Sequence, residues 1–156
     1  MIRLIAAIDT ERGIANDSGI PWNLPEDSAY FRDKTRTGLI LMGRATYNEF
    51  AAPLHGRDNF VLKAQPGSVR AGFRSVASLD QLSTDHPGED VWVVGGAAVY
   101  AETINDASEL LITQVLADFN CTKFFPAYAA QFVLATQSED HEDGGIKYRF
   151  ETWRHR

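Results

Sequence analysis

Hydrophobic residues along the chain fall into short blocks separated by turn formers. Ile2–Ile8, Leu39–Met42, Asn59–Leu62 and Val91–Val94 are apolar, rich in strand formers and bounded by Gly, Asp or Pro, the pattern of buried β-strands. Between them lie stretches with helical spacing: residues 25–35, Ala45–Phe50 after Gly43, Leu79–Leu82, and Ala97–Ile104 after Gly95-Gly96. This alternation predicts a mostly parallel sheet with flanking helices. From residue 109 only strands follow, Glu109–Leu116, Phe132–Gln137 and Lys147–Trp153, with the acidic turn Ser138–Gly145 between the last two. A closing antiparallel hairpin added to the parallel sheet is therefore expected. No repeat, low-complexity tract or Pro/Ser-rich linker divides the 156 residues, so the expectation is one α/β domain, a single mixed sheet with helices on both faces.

The first helix carries the most informative polar position. Pro25 has φ fixed in advance and lacks only an N–H that would find no helical partner, so it marks the helix start. Asp27 then falls in the first turn and shares a stripe with Tyr30, Phe31 and Lys34, spaced i, i+3, i+4 and i+7. An acid heading an aromatic stripe, approached through the stiff segment Ile20-Pro21-Trp22-Asn23-Leu24, suits a small-molecule site. The residues alone leave a plain alternative open, a solvated aspartate interacting with the helix dipole.

Two strand-to-helix junctions contain glycine where the backbone must bend tightly or approach a ligand. Leu41-Met42-Gly43-Arg44-Ala45-Thr46 offers free N–H groups with a cation beside them, which suits an anion. Val93-Val94-Gly95-Gly96-Ala97-Ala98-Val99-Tyr100 repeats the geometry without a charge. Neither is a GxGxxG or a P-loop, and each alone also describes an ordinary tight connection. A third cluster, His55-Gly56-Arg57-Asp58, sits in a turn. Its guanidinium fork suits a carboxylate, although turn-borne arginine is commonly solvated. Lys63 and Gln65 follow the next strand.

Composition narrows the classes. Hydrophobic content of 44% with 23% charged residues is ordinary for a soluble domain, and no apolar run approaches the roughly 20 residues of a membrane span. The start MIRLIAAID reads as a buried first strand rather than a signal peptide. A net charge of −6 with no Lys/Arg cluster argues against a nucleic-acid partner, and an anionic ligand would depend on a few local cations. Cys121 is the single cysteine, which rules out an internal disulfide and a cysteine-rich metal site and fits the reducing cytoplasm. The histidines at 55, 86, 141 and 155 lack metal-ligand spacing, and neither H-E-x-x-H nor G-x-S-x-G occurs, so no metal site and no hydrolytic chemistry is expected.

Pro21-Trp22-Asn23-Leu24-Pro25-x-Asp27, Met42-Gly43-Arg44-x-Thr46, Pro53-Leu54-x-Gly56-Arg57, Gly95-Gly96-x-x-Val99-Tyr100 and Thr113 stand in this order. Together they closely resemble the dihydrofolate reductase family, essentially from end to end. The resemblance implies NADPH-dependent reduction of dihydrofolate to tetrahydrofolate by a monomer with an eight-stranded mixed sheet and four helices. It implies that Asp27 accepts hydrogen bonds from N3 and the 2-amino group of the pterin. Thr113 would be bonded to the carboxylate and Trp22 would order a nearby water. Hydride would pass to pterin C6, with the proton on N5 supplied by water, since Asp27 lies too far across the ring to donate it.

The same resemblance places Ile5, Ala7 and Val94 on the pocket floor and Ser28, Phe31, Phe50 and Leu54 around the pterin and aminobenzoyl rings. It gives Arg57 to the α-carboxylate of the glutamate tail. It implies cofactor contacts from Gly43, Arg44, Ala45 and Thr46 at the phosphates, and from Gly96 at the pyrophosphate with Gly95, Ala97 and Val99 beside it. Ala7, Ile14, Ile20 and Tyr100 would lie near the nicotinamide, and Leu62 and Ala64 with Lys63 and Gln65 at the far end. Arg44, Lys63 and Gln65 would read the 2′-phosphate. A cis Gly95–Gly96 peptide and a closing loop over residues 14–22 are implied as well. The chain departs from the pattern at Ala45 and Ala98, where basic residues are common, at Ser28, where the contact is usually apolar, at Ala52, which lacks a common cation, and at Thr122, which replaces an acid. The alternatives are a reductase of another pteridine or of a riboflavin-pathway pyrimidine, and a non-catalytic folate- or nucleotide-binding protein.

Overall fold

The computed structural model describes residues 1–156. Its elements in chain order are β1 (Ile2–Ile8), β2 (Gly13–Ala15), α1 (Pro25–Lys34), β3 (Leu39–Met42), α2 (Arg44–Glu49), β4 (Asp58–Leu62), β5 (Phe73–Val76) and α3 (Leu79–Asp85). There follow β6 (Val91–Val93), α4 (Ala97–Thr103), a 3-10 turn at Ile104–Asp106, β7 (Glu109–Val115), β8 (Lys123–Phe124), β9 (Phe132–Gln137), β10 (His141–Asp143) and β11 (Ile146–His155).

Strand β1 lies between β6 and β7, parallel to both, and β3, β4 and β5 extend the parallel sheet outward from β6. The long strand β11 runs antiparallel to β7, and its other edge is paired with β9 along Glu151–His155 and with β10 along Ile146–Tyr148. Segments β9 and β10 therefore share one strand position, and the sheet has the expected eight positions. A separate two-stranded ribbon joins β2 to β8.

Both faces of the sheet are covered, as the alternation implied. Leu4, Leu39, Leu41, Leu110 and Ile112 point to a large core roofed by Leu79 and Leu82 of α3 and Val99 and Tyr100 of α4. Ile5, Ile40, Met42, Val61 and Leu111 point the other way, towards Tyr30 and Phe31 of α1 and Tyr47 of α2. Such strands are buried on both sides, which is why they read as continuous apolar runs. Helix α1 has no fully buried residue, so it stands against the sheet as a wall rather than a lid.

Four strands go beyond the sequence expectation. Phe73–Val76 is an edge strand whose sequence, Phe-Arg-Ser-Val, buries only its two ends and so gives no apolar run. The ribbon of β2 and β8 is too short to show a period. The acidic turn Ser138–Gly145 contains β10 and closes on Gly144-Gly145, both at positive φ, the geometry of a tight hairpin turn. Helix α3 also runs past Leu82, capped by Ser78, whose Oγ accepts the Gln81 N–H at 3.0 Å.

Candidate active site

A cavity of about 440 Å³ opens between α1 and α2 at the carboxyl ends of β1, β3 and β6. One end is built around Asp27. The proline-started helix sets this side chain against β7, where the buried Thr113 donates its hydroxyl to Asp27 Oδ1 at 2.6 Å. Burial raises the Asp27 pKa above the ordinary aspartate value, and the Thr113 bond offsets only part of that. Ile5, Ala7 and Val94 form the floor, and Phe31, Phe50 and Leu54 the walls, with Ser28 at the rim.

The expected stripe on α1 divides. Phe31 faces the cavity, whereas Tyr30 turns behind it and stacks on Phe150 at 4.2 Å between centroids. Burial, then the neighbouring Asp27 charge, pushes the Tyr30 phenol up to about 12. Lys34 reaches back over the Tyr30 ring at 5.6 Å and takes no part in the cavity. Trp22 also lies outside the lining. Its ring is buried with Leu24, Val115 and Tyr148 and meets Phe119 edge-on at 5.2 Å.

Arg57 is not the solvated arginine that its turn allowed. Its Nε donates to the Thr35 carbonyl at 2.7 Å, Nη1 to His55 at 2.6 Å and Nη2 to Arg32 at 2.6 Å, leaving one N–H on each terminal nitrogen. The buried Asn59 fixes the same turn, accepting from the Leu54 N–H and donating to the Leu54 and Arg57 carbonyls. Arg57 is not part of the cavity lining; the cation in the lining at this end is Arg32, which the sequence reading missed. Its signal was the spacing of Ser28 and Arg32, one helical turn apart on the face of Asp27 and Phe31.

At the other end the two glycine junctions meet. Gly43 N donates to the Gly95 carbonyl at 2.7 Å, and Val94 N donates to the Leu41 carbonyl at 3.0 Å. A β-carbon on Gly43 would collide with Val99, and one on Gly95, at φ 131°, would lie 2.8 Å from Thr46 Oγ1. Glycine is thus required twice, by close packing and by backbone conformation. The Gly95–Gly96 peptide is cis, as the resemblance implied. Tyr100 is buried beneath, its hydroxyl donating to the Ile5 carbonyl at 2.7 Å, and burial holds this phenol far above its usual pKa.

The expected cofactor residues divide between the lining and several places outside it. Ala7, Ile14, Ile20, Ala45, Thr46, Gly95, Gly96, Ala97 and Tyr100 line the cavity. Gly43 and Val99 pack beneath it, Leu62 points into the core, and Arg44 and Gln65 are exposed outside the lining. Lys63 and Ala64 border a separate depression of about 510 Å³, and Lys63, at φ 60°, forms an ion pair with Glu102. Lys123 and Glu49 also line the main cavity, and the sequence reading assigned neither. Over this end runs the segment from β2 to Ile20, tied to the following ribbon by Thr122 N donating to the Ala15 carbonyl at 3.0 Å and by the Thr122 hydroxyl donating to Asp17 Oδ1 at 3.3 Å.

A glycine-lined cradle at the ends of adjacent parallel strands, continuous with a largely apolar slot that ends in a half-buried acid, is the arrangement of an α/β protein suited to a nucleotide beside a second ligand. Known proteins agree. The sequence profile of the dihydrofolate reductase family matches residues 1–155. The chain is 33% identical to the dihydrofolate reductase of Bacillus subtilis, over 97% of this chain and 91% of that protein. It is 39% identical to that of Mycobacterium tuberculosis (strain ATCC 25618 / H37Rv), over 74% of this chain and 71% of that one. Its fold matches the dihydrofolate reductase from Enterococcus faecalis complexed with NADP(H) and RAB-propyl, with a TM-score of 0.89 and 24% identity, covering 99% of this chain and 96% of the other. The chain belongs to the dihydrofolate reductase family, whose enzymes reduce dihydrofolate with NADPH. No helix is long and apolar enough to cross a membrane.

Proposed function

We propose that this chain reduces dihydrofolate to tetrahydrofolate, with Asp27 as the pterin's anchor and electrostatic partner. The observation that carries this reading is the Asp27–Thr113 pair at 2.6 Å, set in the same cavity as the glycine cradle. The cradle fits a nicotinamide dinucleotide: its glycines bring backbone to the surface, and Thr46 adds a hydroxyl beside Gly95 and Gly96. NADPH, when bound there, supplies the hydride.

The chain's own residues then do five things. Asp27 accepts hydrogen bonds from N3 and the amino group of the pterin, and its charge favours the pterin cation that takes up hydride at C6. Trp22 orders a water near the carboxylate, and the N5 proton comes from water, because Asp27 binds the opposite edge of the ring. Phe31, Phe50 and Leu54 clamp the rings, and Arg57, held rigid by three carbonyls, presents its remaining N–H groups to the glutamate tail, with Arg32 adding charge at the mouth. Ile14, Ile20 and the loop from 14 to 22 close over the nicotinamide and exclude water. Arg44, Lys63 and Gln65 read the 2′-phosphate. The chain acts as a monomer; its single cysteine fits the reducing cytoplasm, and the charge of −6 without a Lys/Arg cluster argues against a nucleic-acid partner.

Mixing the protein with NADPH and dihydrofolate, and following the loss of reduced-nicotinamide absorbance, tests the reading. Steady turnover blocked by a diaminopteridine antifolate is expected. Turnover only with another pteridine or with a riboflavin-pathway pyrimidine would change the substrate, and tight binding of both ligands without oxidation would make the chain a binding protein.

A further inference from the structure

We propose that Lys123 binds the cofactor's diphosphate on its nicotinamide side, supplying from the loop ribbon the positive charge that the glycine junctions lack. The proposal rests on the reading of this cavity as an NADPH site.

The lining of the cavity contains two cations, Arg32 and Lys123. Arg32 belongs to α1 and the Asp27 end. At the other end the contributing positions Ala45, Thr46, Gly95, Gly96 and Ala97 are all neutral, while Arg44 and Ala98 are exposed outside the lining. A dianionic bridge bound there would face a chain of net charge −6 and a lining that also contains Glu49. Backbone N–H groups alone would have to offset this, and one charged donor changes the balance because charge-assisted hydrogen bonds are roughly twice as strong as neutral ones.

Lys123 is built for that part. None of the chain's ion pairs uses it, so its ammonium is not committed elsewhere. Its backbone is fixed on both sides: Thr122 N donates to the Ala15 carbonyl at 3.0 Å, and Phe125 N donates to the Arg12 carbonyl at 2.8 Å. In the ribbon Lys123 pairs with Ala15, and it shares the lining with Ala7, Ile14 and Ile20, residues assigned to the nicotinamide. This places the charge at the nicotinamide half of the bridge and away from the depression beside Lys63. A phosphate held by Lys123 also holds the ribbon from which the closing loop starts.

Calorimetric titration of the wild type, Lys123→Ala and Lys123→Arg tests the proposal. The ligands are NADPH, reduced nicotinamide mononucleotide, the adenosine bisphosphate half of the cofactor, and dihydrofolate. At low salt Lys123→Ala should bind NADPH about tenfold more weakly, a gap that narrows as salt screens an exposed charge. The mononucleotide should lose affinity likewise, the adenosine half and dihydrofolate should be unaffected, and Lys123→Arg should restore binding. Equal NADPH affinities in the wild type and Lys123→Ala would overturn the proposal, as would a loss of the adenosine half as large as that of the mononucleotide. A wild type that fails to bind NADPH would overturn the reading of the cavity itself, and this proposal with it.

Discussion

Asp9, at the end of β1, and Asp27, at the start of α1, are both carboxylates withdrawn from water, yet their surroundings differ in kind. Asp9 is 1% exposed, and the protein fills its lone pairs: the N–H groups of Glu11 and Gly13 donate to Oδ1 at 2.9 and 2.7 Å, and that of Phe119 donates to Oδ2 at 3.0 Å. Burial works to raise its pKa, but these backbone donors, with the Cys121 thiol, outweigh it and hold the group below the ordinary value. In exchange the thiol is pushed up to about 11, by burial and by the Asp9 charge. Asp27 receives one hydroxyl from the protein and keeps a raised pKa. A carboxylate saturated by backbone N–H groups holds a turn together. One given a single donor and aimed into a cavity has lone pairs available to a ligand.

The largest test of that contrast is Asp27→Asn. It keeps the shape and an acceptor for Thr113 while removing the charge, so activity near neutral pH should fall by at least about a hundredfold with the circular dichroism spectrum unchanged. Near-normal rates would break the assignment of Asp27 as the pterin's anchor. Asp9→Ala should act the other way, leaving three N–H groups, that of the buried Gly13 among them, without their acceptor. A loss of roughly 2–4 kcal/mol in urea unfolding is expected, and an unfolding midpoint like that of the wild type would show that Asp9 does not hold the turn.

The two acids were unequally legible in the sequence. Asp27 could be placed from Pro25 and the helical stripe, because a first turn is a local feature. Its partner Thr113 came from family resemblance, since it lies 86 residues further along the chain and is delivered by the pairing of β7 with β1, which no periodicity encodes. Asp9 gave no signal beyond an acid after a strand, because its donors belong to two separate loops. The sheet was readable where strands are buried on both faces and opaque in Phe73–Val76 and His141–Asp143, which are short edge segments rich in polar residues. Tyr30 and Phe31 shared one stripe in the sequence, and the separation between them came from Phe150, a residue of β11. Lys123 lies in a two-residue strand, where no pattern can assign a face.

Thr113→Val sharpens the comparison by taking from Asp27 the one donor it has. A hydrogen bond to an ionised acceptor is worth about 1.5–3 kcal/mol, and the Thr113 bond is what opposes burial here. The Asp27 pKa should therefore rise further, and the pH–rate profile of kcat/KM should shift towards higher pH with the fold intact. An unmoved profile would mean that the titration seen in the kinetics belongs to another group.

The smallest effect concerns stability, and its sign separates the two acids most cleanly. Where a folded-state pKa is raised, the native state binds more protons than the unfolded chain between the two pKa values, so stability falls as pH climbs through that window. The ionised Asp27 thus leaves the native protein less stable at neutral pH than a neutral isostere would, and Asp27→Asn should unfold at a higher temperature than the wild type at pH 7, the difference disappearing in acid. Asp9 runs in the opposite sense. Its folded pKa is depressed, so its contribution is present above the unfolded value and disappears as pH drops through the folded one. Wild type and Asp9→Asn should therefore converge in acid from the other side, the variant being the less stable at pH 7. If both asparagine variants shifted the same way at pH 7, the division between a ligand-facing and a turn-holding carboxylate would fail. Opposite shifts, with activity lost in the Asp27 variant, would show that this fold accepts a less stable buried charge at the site where a ligand meets it.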